Sequence, residues 1–351
     1  MDKKVFELIE RLERNHSLET SEYQYLIEHR DEESAKVLAE KAVRQRKKVY
    51  GKKVYIRGLI EISNICRNDC HYCGIRKSNT SCERYRLSKE DILSCTDEGY
   101  DLGFRTFVLQ GGEDGYFTDD ILIDIIRGIK DKYPDCAVTL SLGERSNESY
   151  RRLYDAGAER YLLRHETADK SHYMMLHPDN MSFAYRMECL QILKKIGYQT
   201  GCGIMVGSPY QKVEHLAADM KFIEEFKPEM CGIGPFIPHK DTPFKDEEAG
   251  SIELTCYLLS IIRLINPSVL LPATTALGSL EEGGREKGIL AGANVVMPNL
   301  SPVSVRKKYQ LYNNKLSDGE ESAQSIMILK DKLNEIGYEI SIERGDYKNG
   351  I

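Results

Sequence analysis

The sequence predicts an α/β fold, a (β/α)8 barrel of the TIM type with a helical N-terminal cap and a short C-terminal helical extension. Three observations carry that expectation: eight short apolar runs, their even spacing, and glycines that close the helical stretches between them. The runs occupy 54–62, 106–110, 137–142, 160–166, 201–207, 231–237, 269–275 and 294–298. They recur about every 34 residues, close to the ~30 residues of a βαβ unit. A doubly wound open sheet is the competing architecture. It needs no particular count of eight, and it usually shows a glycine-rich phosphate fingerprint after its first strand, where this chain instead runs into cysteines.

Taken in order, residues 1–50 form the cap. Val5, Leu8, Ile9 and Leu12 repeat every three to four positions, and Thr20 or Ser21 caps a second helix ending near Val43. The barrel is assigned to 51–312. Its helices are expected at 88–102, 119–132, 148–156, 182–196, 213–226 and 252–264, several of them stopping at glycine as in KKIGYQTG, LYDAGAERY and ILAGANVV. Residues 313–351 read as a helix and a polar tail ending in GDYKNGI.

Composition sets further bounds. With 41% hydrophobic and 30% charged residues over 351 positions, the chain can bury a substantial core. Its 49 Lys+Arg against 55 Asp+Glu leave a net charge of -6 without a long basic stripe, which speaks against nucleic acid as a partner. The run KAVRQRKK at 41–48 reads as a solvated helix end. No stretch approaches ~18 consecutive apolar residues, and the charged N-terminus lacks the apolar core of a signal peptide. A cytoplasmic protein with no membrane partner is expected.

Ten cysteines in a chain without an export signal argue against a disulfide framework. Three of them, Cys66, Cys70 and Cys73, fall within eight residues in the loop SNICRNDCHYCGIRK after the first strand. That is the carboxyl end of a barrel strand, where such folds build active sites. Three thiolates can hold three irons of a [4Fe-4S] cluster and leave the fourth open to an outside ligand. A zinc site completed by His71 is the alternative. After the second strand, Gln110-Gly111-Gly112-Glu113-Asp114 offers two glycines that let backbone approach a ligand closely, or simply a turn. Arg160, Arg164 and Glu166 alternate on the fourth strand, so they face one side and need ligands or one another. Arg186, in the following helix, suits a carboxylate, or plain solvent.

The C-x3-C-x2-C spacing, with the aromatic Tyr72 before the last cysteine, resembles the radical SAM superfamily. The resemblance implies one [4Fe-4S] cluster on the three cysteines, S-adenosylmethionine chelating the open iron, and reductive cleavage to methionine and a 5′-deoxyadenosyl radical. It also implies that the Gly-Gly-Glu turn receives the methionine amino group. Within the superfamily, RGLIEISNICRNDCHYCGIR (57–76), RYR (84–86), VLQGGED (108–114), TLSLGE (139–144), RYLLRHETA (160–168), GIGPFIPHKDTP (232–243), PATTALG (272–278), GGRE (283–286), GANVVMPN (292–299) and YQLY (309–312) resemble the HydE family, the maturases of [FeFe]-hydrogenase.

That closer resemblance implies that Glu166 contacts the ribose and Arg186 the methionine carboxylate, with Ser141 and Arg164 also beside the cofactor. It places Thr139, Arg160, Thr274, Thr275 and Met297 around an inner cavity for anionic substrate groups, closed by Tyr309 and Tyr312. Read without the resemblance, the two threonines are strand residues and the two tyrosines a core stripe. The implied reaction is adenosylation of an organometallic iron complex carrying cysteine, carbon monoxide and cyanide, with partner maturases and an electron donor. Two departures stand out. No cysteine follows Cys256, so a second, C-terminal cluster is not expected, and His177 stands where the family pattern has arginine. A rearrangement resembling that of methylornithine synthase is the alternative enzyme; there an acid follows the seventh-strand Pro-Ala, where this chain has Thr274-Thr275-Ala276. A non-catalytic iron-sulfur scaffold is the alternative of another class, and it needs neither the inward charges nor the glycine turn.

Overall fold

The computed structural model describes residues 1–317 and 319–348; the last three residues of the predicted tail lie outside the described residues. The chain opens with three helices rather than two, Lys3–Asn15, Thr20–Glu28 and Glu32–Tyr50. The predicted second helix divides because Asp31 caps a new one: its carboxylate accepts the Ser34 amide while the Ser34 hydroxyl sits on the Asp31 backbone. Glu19, not Thr20 or Ser21, caps the second helix, in a reciprocal pair with Glu22. The cap is tied to the body by Glu224, which accepts Ser17 Oγ at 2.8 Å and Tyr23 Oη at 2.6 Å.

Strands β1 (Lys53–Ile56) and β2 (Gly58–Ser63) replace the first predicted strand. They are followed by β3 (Thr106–Gly111), β4 (Ala137–Ser141), β5 (Ala158–Leu162), β6 (Gln199–Cys202), β7 (Met205–Val206), β8 (Met230–Cys231), β9 (Gly234–Pro235), β10 (Val295–Val296) and β11 (Glu339–Ser341). All pairings among these strands are parallel, in the orders β2-β3-β4-β5-β6-β8, β10-β1-β11 and β7-β9. Helices Lys89–Asp101, Asp119–Lys132, Asn147–Asp155, Phe183–Ile196, Val213–Phe226 and Ile252–Ile265 connect them close to the positions that periodicity predicts. Each buries an apolar face against the sheet; Leu122, Ile125, Ile126 and Ile129 in the second of these are fully buried.

Three departures from the predicted strands have local causes. The first run breaks at Arg57 because β1 shares its edge with β11, whereas β2 pairs with β3. The run 269–275 makes only the single bridges Met230↔Leu270 and Pro272↔Val295. Pro272 has no N–H to give, and the Leu271 amide goes to the Asn294 side chain at 2.9 Å instead of a neighbouring strand. β6/β7 and β8/β9 are each interrupted at a glycine. A Cβ on Gly203 would stand 2.0 Å from the Gly232 carbonyl, so those two backbones approach too closely for any side chain. The C-terminal segment, read from sequence as helix and tail, contributes the helix Ile326–Glu335 and the strand β11.

Candidate active site

The loop after β2 carries Cys66, Cys70 and Cys73, all free thiols of intermediate exposure. Asn64 opens it: its amide donates to the Glu83 and Lys308 carbonyls, and its Oδ1 accepts the Tyr85 amide. Arg84 then gathers the loop from inside, donating to the carbonyls of Asn64, Ile75, Arg76 and Asn79. One guanidinium on four carbonyls leaves no acceptor in a loop without regular structure unpaired at that point. His71 Nδ1 lies 3.1 Å from the Met175 carbonyl, and its ring edges onto Phe244. Among the described residues no three His, Cys, Asp or Glu side chains converge on a single-ion site. A cubane cluster instead spreads its ligands over separate irons. Burial raises all three thiols above the usual range, Cys73 to about 12.

The turn after β3 packs directly on this loop. Gly112 donates its amide to the Ser63 carbonyl at 3.0 Å, and a Cβ there would lie 2.3 Å from the Ile65 oxygen and 2.8 Å from Cys66 Cβ. Glycine at 112 is what lets the two loops touch. Gln110 reaches Tyr309 Oη at 3.5 Å. Glu113 donates its backbone N–H to Cys66 Sγ at 3.4 Å, while its carboxylate accepts Arg67 at 2.7 Å and the Glu144 amide at 2.9 Å. Asp114 holds Ser63 and, through both oxygens, Arg86. Gly111 and Ser141 lie at the same end of the sheet, with Gln110 paired to Ser141 across β3 and β4. Beside the turn runs a crevice of about 310 Å³ lined by Arg67, Glu113, Glu144, Arg145 and Tyr185 among others. A larger one, about 650 Å³, lies between the 89–101 helix and residues 300–325, and Cys66, Cys70 and Cys73 do not line it.

Beyond β5, Arg164 Nη2 and Glu166 Oε2 stand 3.0 Å apart, and Arg186 donates through Nε to Glu144 at 2.6 Å and through Nη1 to the Arg164 carbonyl at 2.7 Å. Arg186 is thus buried and engaged, not solvated. Tyr72 Oη lies 3.2 Å from His177 Nε2, and His177 is itself buried. Thr139 and Met297 share a cavity of about 20 Å³ with Arg57, Leu162, Met230 and Pro272. That volume is room for about one water. Thr274 Oγ1 and Thr139 Oγ1 are buried with no hydrogen-bond partner. Thr275 donates to Glu321 Oε2 at 2.9 Å, and Glu321 is ion-paired with Arg285. Tyr309 is buried beside the Lys315 ammonium, 5.3 Å from its ring centre, and burial raises the phenol of Tyr312.

Arg160 requires a correction. It is the middle residue of β5, in register with Thr139 and Gln199. Its guanidinium is paired with Asp346 of the C-terminal segment at 2.6 Å and donates to Thr106 Oγ1 and the Arg344 carbonyl. The strand ends at Leu162, so Arg164 and Glu166 belong to the following loop and not to the same strand. Sequence reasoning missed Glu144, Arg84 and Arg57. Arg57 is buried, gives Nη1 to Met230 Sδ, and leaves Nε and Nη2 unpartnered; a charge inside the mostly apolar first run was the available signal.

The residues fit the group that the cysteine spacing implies: three free thiols on one loop, a glycine contact against them, and buried hydroxyls of Thr139 and Thr274 without a hydrogen-bond partner. Residues 60–223 match the model of the radical SAM superfamily. The chain is 44% identical over 292 residues, 83% of each chain, to the [FeFe] hydrogenase maturase subunit HydE of Thermotoga maritima. It is 26% identical to 3-methylornithine synthase of Methanosarcina acetivorans over 86% of this chain and 85% of that one. The crystal structure of methylornithine synthase superposes with a TM-score of 0.82 at 25% identity, covering 95% and 97% of the two chains. That of HydG, a maturase of the [FeFe]-hydrogenase, gives 0.80 at 21% identity over 97% and 76%, a likeness of fold. The chain is a radical SAM enzyme and belongs to the HydE family.

Proposed function

We propose that this enzyme acts in assembly of the diiron subcluster of [FeFe]-hydrogenase, adenosylating a small organometallic iron precursor that carries cysteine, carbon monoxide and cyanide. The observation that carries the reading is the contact of the Cys66-Cys70-Cys73 loop with the Gly112 turn at the carboxyl end of the parallel sheet. A single [4Fe-4S] cluster on those thiols, when bound, supplies the electron that splits S-adenosylmethionine. The chain's own groups do the rest. Gln110, Gly111, Gly112 and Glu113 present backbone to the methionine amine, Arg186 faces the carboxylate, and Glu166 with Arg164 and Ser141 meets the nucleoside, beside Tyr72. Thr139, Thr274, Thr275, Met297, Tyr309 and Tyr312 bound the substrate space and exclude water from it. Arg160 acts there through its pairing with Asp346.

We read the chain as eight βα units closed into a ring around this space; the bridges at Leu270, Pro272 and Asn299 support that reading. We assign residues 1–50 as the cap, 51–312 as the barrel and 313–351 as the C-terminal extension. Partner maturases deliver and receive the intermediate, an electron donor reduces the cluster, and the enzyme works in the cytoplasm. Among the described residues no helix is long and apolar enough to cross a membrane. The acid that Thr275 bonds, Glu321, is ion-paired with Arg285, which disfavours an ammonium-bearing substrate of the methylornithine type.

Anaerobically reconstituted protein is expected to hold about four irons, to cleave S-adenosylmethionine on reduction, and to yield an adenosylated product from a synthetic iron–cysteine–carbonyl–cyanide complex. Cofactor cleavage without that product overturns the substrate assignment. Cleavage that survives Cys66→Ala, Cys70→Ala or Cys73→Ala overturns the cluster assignment.

A further inference from the structure

The segment after β5 carries Glu166 at a φ of 67°. Side-chain-bearing residues adopt this left-handed region uncommonly, so something must hold it. The Glu166 amide donates to the Gly203 carbonyl at 3.0 Å, which fixes one side of the turn. The other contacts come from two fully buried polar side chains, His165 and Asp219. The Gly203 amide donates to His165 Nδ1 at 3.2 Å. That nitrogen therefore offers its lone pair, and the imidazole proton sits on Nε2, which faces Asp219 Oδ1 at 3.4 Å. The same carboxylate oxygen accepts the Ala168 amide at 2.5 Å.

Asp219 belongs to the Val213–Phe226 helix, and Phe222, one turn on, packs its ring 4.6 Å from the imidazole. A single helix thus supplies both the apolar wall and the carboxylate. An ordinary buried histidine spends its nitrogens on whatever is near. Here the hydrogen bonds of the pair converge on Gly203 and Ala168, the backbone to either side of Glu166.

We propose that His165 and Asp219 are positioning residues, whose contact holds the 164–168 turn in the left-handed form that aims the Glu166 carboxylate, with Arg164, at the cofactor. The assignment rests on Glu166 contacting the nucleoside. Neither His165 nor Asp219 touches cofactor or substrate; both act through the turn.

Amide hydrogen exchange in cofactor-free protein tests the turn by itself. His165→Phe, which keeps the packing on Phe222, and Asp219→Ala are expected to speed exchange at Glu166 and Ala168 at least ~10-fold while β2 to β4 stay protected. In reconstituted enzyme the same variants should raise KM for S-adenosylmethionine about 10-fold, with kcat for cleavage within about 3-fold and iron content unchanged. His165→Gln and Asp219→Asn should recover part of each change. Combining His165→Phe with Glu166→Gln should raise KM no further than the larger single change, since residues acting through one contact are not additive. Unchanged exchange at the two amides, additive effects, or loss of protection throughout the sheet overturns the proposal. If His165→Phe does not fold, Asp219→Ala and His165→Gln decide it. Faster exchange at the turn with KM unchanged in both His165→Phe and Glu166→Gln overturns Glu166 as the cofactor contact and leaves the turn device standing.

Discussion

The phenol of Tyr72 donates to Nε2 of His177. The direction follows from the other ring nitrogen, Nδ1, which lies 2.9 Å from the Tyr173 carbonyl and must carry the proton, so Nε2, 3.2 Å from Tyr72 Oη, accepts. A neutral, buried ring thus anchors the residue between Cys70 and Cys73. His177→Leu leaves the Tyr72 hydroxyl unpaired and is expected to cost about 1–3 kcal/mol of stability. In a Tyr72→Phe background the same change should cost less, and denaturant midpoints of the four proteins measure the difference.

The same burial makes stability depend on pH. It lowers His177 to about 3 and His172 to about 4. Between their ordinary value of about 6.5 and those values the unfolded chain binds more protons than the folded one, so stability rises with pH across that window and falls on acidification. Melting temperature is expected to drop progressively from pH 6.5 toward 4. His177→Gln should flatten the slope by about one proton's share, which a series of thermal melts in matched buffers reads out.

Gly112 and Gly115 stand three residues apart and predict opposite outcomes. A Cβ on Gly112 meets the backbone oxygen of Ile65, whereas one on Gly115 meets nothing within 4 Å. Gly112→Ala should push the turn off the cysteine loop and cut iron incorporation several-fold, with a melting temperature only modestly lowered. Gly115→Ala should bind iron as the parent does. Iron per chain after anaerobic reconstitution checks both.

Arg160 tests depth within the sheet. Its partner Asp346 is held down to about 2; burial works against its charge, but Arg160 and Arg344 outweigh it. Asp346→Asn leaves a fully buried guanidinium without its counter-charge and is expected to cost about 1–3 kcal/mol. The contribution is present above the ordinary carboxylate range and disappears as pH falls through about 2. Cofactor cleavage should be unaffected, and urea unfolding beside a cleavage assay separates the two.

Much of the fold was legible because periodicity reports a local quantity. The six helices between β2 and the bridge at Pro272 fall where amphipathic spacing places them, and the cysteine loop follows a strand as its position requires. Alternation carries no information about what a strand residue pairs with: Arg160 is set by register with Thr139 and by a carboxylate 186 residues away in sequence. Glu144, His165 and Asp219 escaped notice for a related reason: each sits among ordinary residues in its own segment, and only folding brings Glu144 to Arg186 and Asp219 to His165. His177 was readable as a departure, yet its role depends on a tyrosine 105 residues earlier.

β1 and β11 lie side by side, Lys53 beside Glu339, although almost 290 residues of chain separate them. During synthesis the edge of β1 therefore emerges early and waits for a neighbour that the ribosome has yet to make. An unpaired parallel edge of this kind invites pairing with other chains. Recombinant yield should thus respond to slower translation, lower growth temperature and chaperone supply more than the stability of the finished enzyme would suggest.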